Sequence, residues 1–307
     1  MKKVEILLAT YNGEGYLEQQ LQSILSQDTK EWHLTVSDDG STDSTPDILE
    51  RYERDYPDFI KRVHSGKRFG NAREHFFWLM EQCKADYMQF CDQDDVWHND
   101  KVRILQEAME EAEQKYGKNV PMVVFSDQTV VDESLQMISP SLMHMQQQNS
   151  EATDFRNILF QSIVTGCTME INRSMADKAA MITDSTRTVM HDWWIALIAA
   201  QFGQMVYVPV ATIDYRQHGR NSVGAKDTRS LSYLLNKTFH LKRFRKNVTE
   251  KKSQAAEFLH VYESELPDET RKLLKEYSQK RSPLGFRFRY LPWITTLPRK
   301  LGFFFRW

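Results

Sequence analysis

Cysteine is scarce in this chain: Cys83, Cys91 and Cys167 are all that 307 residues contain. An odd number of thiols with no metal or redox spacing excludes a disulfide framework and fits buried thiols in a reducing compartment. Long apolar runs are lacking too. Stretches such as Ile195 to Ala200 fall far short of the roughly 20 residues a membrane-spanning helix needs. Met1-Lys2-Lys3 leads straight into Val4-Glu5-Ile6-Leu7-Leu8, too short and wrongly flanked for a secretory signal, so a cytoplasmic location is expected. There is no internal repeat and no low-complexity tract.

Charge is nearly balanced overall, at -2, but not along the chain. Residues 1–224 carry 21 Lys and Arg against 34 Asp and Glu, whereas residues 225–307 carry 19 against 8. Two regions of opposite sign suggest two jobs, with the boundary near residue 224. The length suits one large or two modest domains.

The most distinctive stretch is Phe90-Cys91-Asp92-Gln93-Asp94-Asp95-Val96-Trp97, three carboxylates in four positions directly after an apolar run. Tyr87 to Cys91 reads as a short buried strand, and Val102, Leu105, Met109, Ala112 and Tyr116 follow at helical spacing. The acids therefore sit on the loop leaving the carboxyl end of a strand, the edge where open α/β sheets bind ligands. Carboxylates there suit Mg²⁺ or Mn²⁺, which take one or two protein oxygens and leave room for substrate phosphate. Alternatively, Asp94, Asp95 and Asp100 cap the next helix.

Elsewhere strand and helix patterns alternate. Lys3 to Thr10, Trp32 to Ser37, Ile60 to His64 and Ala85 to Cys91 read as strands, separated by apolar helical stripes such as Leu17, Leu21, Ile24 and Leu25. This predicts an α/β fold with a mostly parallel sheet covered by helices on both faces. Thr45 reads as an N-cap with Pro46 behind it. Residues 132–154 give no clear period and read as a loop, Thr165 to Ile171 as a strand, and Met205 to Val208 and Ala211 to Arg216 as two more. Beyond Gly224 the pattern turns helical, with Ala255, Phe258, Leu259, Tyr262 and Leu266 on one stripe.

Taken together, Ala9-Thr10-Tyr11-Asn12-Gly13, Ser37-Asp38-Asp39-Gly40-Ser41-Thr42-Asp43, Asp92-Gln93-Asp94-Asp95, Gly166-Cys167, His191-Asp192-Trp193-Trp194 and Tyr215-Arg216-Gln217-His218 resemble the family 2 glycosyltransferases. These are inverting enzymes of the glycosyltransferase A, Rossmann-like fold. The likeness spans about residues 3–224 and is strongest to the rhamnosyltransferase-like branch that builds bacterial surface polysaccharides. The Gln-x-x-Arg-Trp signature of processive synthases is absent.

The resemblance implies a donor-nucleotide site at Thr10, Tyr11, Asn12, Asp39, Asn71, Asp92 and Gln93, a Mn²⁺ or Mg²⁺ ion on Asp94 and His218, and Asp192 as the base that activates an acceptor hydroxyl. It also places Gly166 beneath the donor sugar, and the adjacent aromatic faces of Trp193 and Trp194 are expected to offer a platform for the acceptor sugar. Physical chemistry agrees in part: a strand-end tyrosine offers a stacking face, and a carboxylate can take a hydroxyl proton. Simpler readings stand beside these: turn chemistry for Asp38 and Asp39, an N-cap for Asn71, a solvated loop for His218, a strand-entry turn for Gly166, and a core position for one tryptophan. A helix amino end would also lower the pKa of Asp192 and weaken it as a base.

The expected activity is transfer of a single sugar from dTDP-rhamnose or a UDP-sugar to a glycan or lipid-linked glycan. A sugar-phosphate nucleotidyltransferase is the competing enzyme, but Tyr11-Asn12-Gly13-Glu14-Gly15 lacks the basic residues its phosphate loop requires. A non-catalytic scaffold is the third reading. Lys280 to Trp307 holds seven Lys and Arg, eight aromatics and no acid. That composition suits a peripheral anchor on the inner face of the plasma membrane, or a tail packed on its own domain. No nucleic-acid partner is expected, and a homodimer is left open.

Overall fold

A computed structural model describes residues 3–219 and 241–279. The first half alternates as the sequence pattern predicts: β1 (Val4–Thr10), α1 (Leu17–Leu25), β2 (Trp32–Asp38), α2 (Thr45–Asp55), β3 (Ile60–Arg62), α3 (Ala72–Gln82) and β4 (Tyr87–Cys91). Then follow β5 (Val96–Trp97), α4 (Lys101–Tyr116), β6 (Met122–Val131), β7 (Met137–Ser139), α5 (Leu142–Met145), α6 (Phe155–Phe160), β8 (Met169–Asn172), α7 (Arg173–Ala179), α8 (His191–Phe202) and β9 (Gln204–Arg216). Two further helices are α9 (Leu241–Tyr262) and α10 (Asp268–Ser278).

The strands form one sheet in the order β3-β2-β1-β4-β8-β6-β9-β5, with β7 paired to β6. Strands β1 to β4 are parallel, as are β6 and β9. Strand β8 runs antiparallel to both β4 and β6, so the sense reverses at the centre of the sheet. Its insertion brings the turn before β8 beside the carboxyl end of β4.

Both sheet faces are covered, which is why β1 is apolar almost throughout. Ile6 and Leu8 pack with α1, α2 and α4 on one face, and Leu7 packs with α3, α6 and α8 on the other. Phe258, Tyr262, Leu273 and Tyr277 of α9 and α10 join the second cluster and are all but fully buried. The Ala255, Phe258, Tyr262 and Leu266 stripe is thus a packing face, as its spacing predicts.

Several local expectations change. Ser44 occupies the N-cap position of α2 with no capping hydrogen bond from its side chain, and Thr45 is the first helical residue, with Pro46 just inside. Residues 132–154 contain β7 and α5 rather than loop alone. The strand expected from Thr165 begins at Met169, after a tight turn over Gly166–Thr168. The two late strands are one, β9, interrupted where the register against β6 jumps from Val208 to Ala211. Pro209 has no N–H to give the ladder, so it and Val210 are extruded as a bulge. Among the described residues no helix is long and apolar enough to cross a membrane. The expected boundary at residue 224 and the basic aromatic tail from Lys280 lie outside the described residues.

Candidate active site

The loop Asp92–Asp95 leaves the carboxyl end of β4, and the end of β9 reaches across to meet it. His218 Nε2 lies 2.8 Å from Asp94 Oδ2, with both side chains largely buried. An octahedral shell with bonds of about 2.1 Å sets neighbouring ligand atoms roughly 3 Å apart, so this pair has the spacing of two ligands on one ion. Carboxylate plus imidazole suits Mn²⁺ better than Mg²⁺, since the imidazole is the softer donor.

Arg216, quoted in the sequence motif without a role, holds this arrangement in place. Its guanidinium donates to the carbonyl oxygens of Asp94 and Glu133 and to Gln19 Oε1, while its backbone N–H donates to Asp95 Oδ1. Tyr16 lies between it and His218, stacked on the imidazole with ring centres 4.6 Å apart and capped by the guanidinium at 5.0 Å. One buried arginine therefore ties β9, the acidic loop, α1 and the loop after β6 together.

Asp192 is the second residue of α8, and its Oδ2 accepts a hydrogen bond from the Gly166 N–H at 3.0 Å. Burial raises its pKa to about 6, against the pull of the Gly166 and Trp193 amides. Desolvation therefore outweighs the helix amino end, and the carboxyl is poised near neutrality as a general base must be. Its charge also reaches the acidic loop. Asp92 is raised to about 7, first by burial and then by the Asp94 and Asp192 carboxylates, with Lys101 opposing. The acidic loop and the start of α8 thus occupy one electrostatic neighbourhood.

Turnover should accordingly be low below pH 6 and rise through it as Asp192 ionises, reaching a plateau on the alkaline side. A pH profile of kcat at saturating metal and donor measures this, and a flat profile from pH 5 to 7 would contradict it.

Gly166 earns its place from the protein side. A Cβ there would stand 2.8 Å from His191 Nε2 and 3.8 Å from the Asp192 Cβ. The His191 ring is wedged between Phe76 and Phe90 and has nowhere to go. Gly166→Ala should therefore cost about 1–3 kcal/mol of stability, read as a lowered denaturant midpoint.

The tryptophan pair divides. Trp194 is fully buried against Phe258 and Tyr262, so the expectation that it forms a sugar platform is corrected: it is a core residue. Trp193 is half-buried, with its indole N–H donating to the Ile158 carbonyl oxygen and Lys251 over its ring.

Residues expected around the nucleotide gather at the ends of β1 and β2, but most of their polar groups bind neighbouring loops. Thr10 donates to Asp38, whose other oxygen accepts from the Gly40 and Ser41 amides in a turn. Asn12, in the left-handed region at φ 47, accepts from the Thr42 N–H. Gln93 exchanges two hydrogen bonds with the Tyr11 backbone, and its side chain fills the space a Cβ on Gly13 would need. Asp39 is buried and accepts from the amides of Phe69 and Gly70. Asn71 caps α3 through the Glu74 N–H. Tyr11 stays 41% exposed, with the Arg68 guanidinium 4.5 Å from the centre of its ring.

Lys101 escaped sequence reading, as did the structural role of Arg216. A lysine opening a helix opposes the helix dipole, and that mismatch was the available signal.

The chain is 28% identical over 251 residues to the dTDP-rhamnosyl transferase RfbG of Shigella flexneri, an alignment covering 79% of this chain and 82% of that one. The fold resembles Staphylococcus aureus TarS in complex with UDP, at TM-score 0.58 and 15% identity over 98% of this chain and 80% of that one. It also resembles the mannosyltransferase PcManGT of Pyrobaculum calidifontis in complex with GDP-Man and Mn²⁺, at TM-score 0.56 and 15% identity over 97% and 78%. At such identity the structural likeness speaks for the fold alone, which is that of the glycosyltransferase A type. The sequence profile described as "Glycosyl transferase family 2" matches residues 5–164. That match spans more than half of the sequence, and the chain belongs to this family of glycosyltransferases.

Proposed function

We propose that this glycosyltransferase moves one sugar from a nucleotide-diphosphate donor to a hydroxyl of a glycan or lipid-linked glycan, with inversion, in surface polysaccharide synthesis. The observation that carries this reading is the Asp192 carboxylate in the first turn of α8, held 3.0 Å from the Gly166 N–H in the turn beside the end of β4, where burial raises its pKa to about 6. Asp192 takes the acceptor proton as its oxygen attacks the anomeric carbon, and the Gly166 amide holds the carboxylate in place. Asp94 and His218 hold Mn²⁺ or Mg²⁺, which when bound neutralises charge building on the departing diphosphate. Tyr11 offers its ring to the base, and Trp193 lies beside Asp192 on the acceptor side. The rhamnosyl relative favours dTDP-rhamnose as donor, with a UDP-hexose as the alternative. Residues 1–224 carry the catalytic residues, with α9 and α10 packed on the same core, and the basic aromatic tail from Lys280 brings the protein to the inner membrane surface, where a lipid-linked acceptor would lie.

The test is a panel of nucleotide sugars incubated with Mn²⁺ and glycan acceptors. The expected result is metal-dependent release of a nucleoside diphosphate; release of pyrophosphate from a nucleoside triphosphate and a sugar phosphate would instead establish a nucleotidyltransferase. Sedimentation with anionic liposomes should carry the full chain into the pellet, more at low salt than at high. A chain that stays in the supernatant at low salt would remove the membrane part of the proposal.

A further inference from the structure

Asp192 is delivered by a loop with little structure of its own. Between α7 and α8 the chain from Thr183 to Met190 contains only a tight turn over Ser185–Arg187, and Met190 gives α8 no side-chain cap. Two buried side chains of α9 fix its course instead. Glu257, with a side chain 0% exposed, accepts at Oε1 from the Thr183 hydroxyl, the Thr183 N–H (3.2 Å) and the Asp184 N–H (2.9 Å), and its Oε2 pairs with the Arg187 guanidinium at 3.4 Å. Gln254, three residues earlier on α9 and also buried, accepts the Val189 N–H at 2.8 Å. From the other side Arg73 of α3 donates to the Thr188 carbonyl oxygen at 2.8 Å. A buried carboxylate is costly to desolvate and is tolerated only where good partners offset the loss. Among the described residues, every partner of the Glu257 carboxylate lies on this one loop.

We propose that Gln254 and Glu257 are positioning residues for Asp192: through them α9 sets where α8 begins, and hence where the base meets the acceptor hydroxyl. Val189 is three residues from Asp192, so a shift of the loop is passed directly to the carboxylate. The same helix reaches the residue after the base as well. Lys251 donates to the Phe160 carbonyl oxygen at 2.9 Å and lies 4.8 Å from the centre of the Trp193 ring. The donor end of the sheet is held differently: Asp39 and Gln93 take their partners from the loops before α3 and after β1. Loss of the α9 contacts should therefore fall on the chemical step and spare the nucleotide. The functional unit extends past residue 224, and the inference rests on Asp192 being the base.

Glu257→Met and Gln254→Met replace each acceptor by an apolar side chain of similar length. Each should lower kcat by roughly 100-fold, the scale of a slightly misplaced catalytic group, with the nucleoside diphosphate dissociation constant changed less than about threefold. Turnover is taken per binding site counted in the calorimetric titration, which removes any unfolded fraction. Glu257→Gln keeps an oxygen for the Thr183 and Asp184 donors and loses only a half-exposed ion pair, so it should recover most of the rate. A kcat like the wild type's in either methionine variant would overturn the proposal, as would a Glu257→Gln variant no faster than Glu257→Met. Equal loss of turnover and nucleotide affinity would overturn it too, because that marks a merely structural role. Gln254→Met removes a single hydrogen bond and decides alone should Glu257→Met not fold. Asp192→Asn assayed in parallel separates the two levels. Normal turnover in that variant sinks the base assignment. Its collapse beside unaffected Gln254 and Glu257 variants sinks only the present proposal.

Discussion

Asp192→Asn is expected to lower kcat by about 10²- to 10⁴-fold, the usual contribution of a positioned general base, while nucleoside diphosphate binding changes little. Asparagine has the same shape, and its side-chain oxygen can still accept the Gly166 N–H that holds the carboxylate now. What it cannot do is take a proton. Initial rates at saturating donor, with calorimetric titration of the nucleoside diphosphate, measure the two quantities separately. If catalysis and binding fell together, Asp192 would be part of the donor site and the base would have to be sought elsewhere. The substitution also removes a negative charge that helps to raise the Asp92 pKa, which should therefore fall.

Asp94→Ala is expected to abolish metal-dependent donor binding, with Mn²⁺ affinity falling by at least ~100-fold as one of two protein ligands disappears. The variant is informative because it spares the frame. Arg216 grips the backbone oxygen of Asp94, not its side chain, and its backbone N–H binds Asp95, so the loop keeps its anchors. The His218 ring keeps its stack on Tyr16. Mn²⁺ titration followed by electron paramagnetic resonance, with and without UDP, reads the loss directly. Titration curves that overlay those of the wild type would exclude Asp94 as a ligand.

Much of this was legible in the sequence because buried parallel strands and amphipathic helices carry periodic apolar signals. The first four strands, the acidic loop at the end of β4 and the α9 stripe all follow from spacing alone. Strand direction does not. The sequence of β8, Met-Glu-Ile-Asn, is equally compatible with either sense, and only its packing between β4 and β6 sets it antiparallel. Pro209 hid the continuity of β9, since a proline in a strand reads as its end unless a bulge can extrude it. Trp194 looked like a platform because it follows Trp193, the neighbour of Asp192 in sequence; one residue further along a helix turns a side chain by about 100°, here into the core.

The side chains that organise the site were hardest to see. Arg216 reaches the acidic loop from 121 positions beyond Asp95 through contacts that no local pattern encodes, and His218, 124 positions beyond Asp94, was expected there only from the family resemblance. Asp38 and Asp39 show the converse. Their sequence allowed either turn chemistry or nucleotide binding, and each now has backbone amides as partners: Asp38 closes its own turn, and Asp39 anchors the Phe69–Gly70 loop.

The central claim is that a divalent cation held by Asp94 and His218 faces the proton acceptor Asp192 across one crevice. Anomalous diffraction from crystals soaked with Mn²⁺ and a nucleoside diphosphate locates that ion directly. The account predicts a single peak bonded to Asp94 Oδ2 and His218 Nε2, with the diphosphate between it and the Asp192 carboxylate. A peak held instead by Asp92, Asp95 and Cys167, or one with no open path to Asp192, would contradict it.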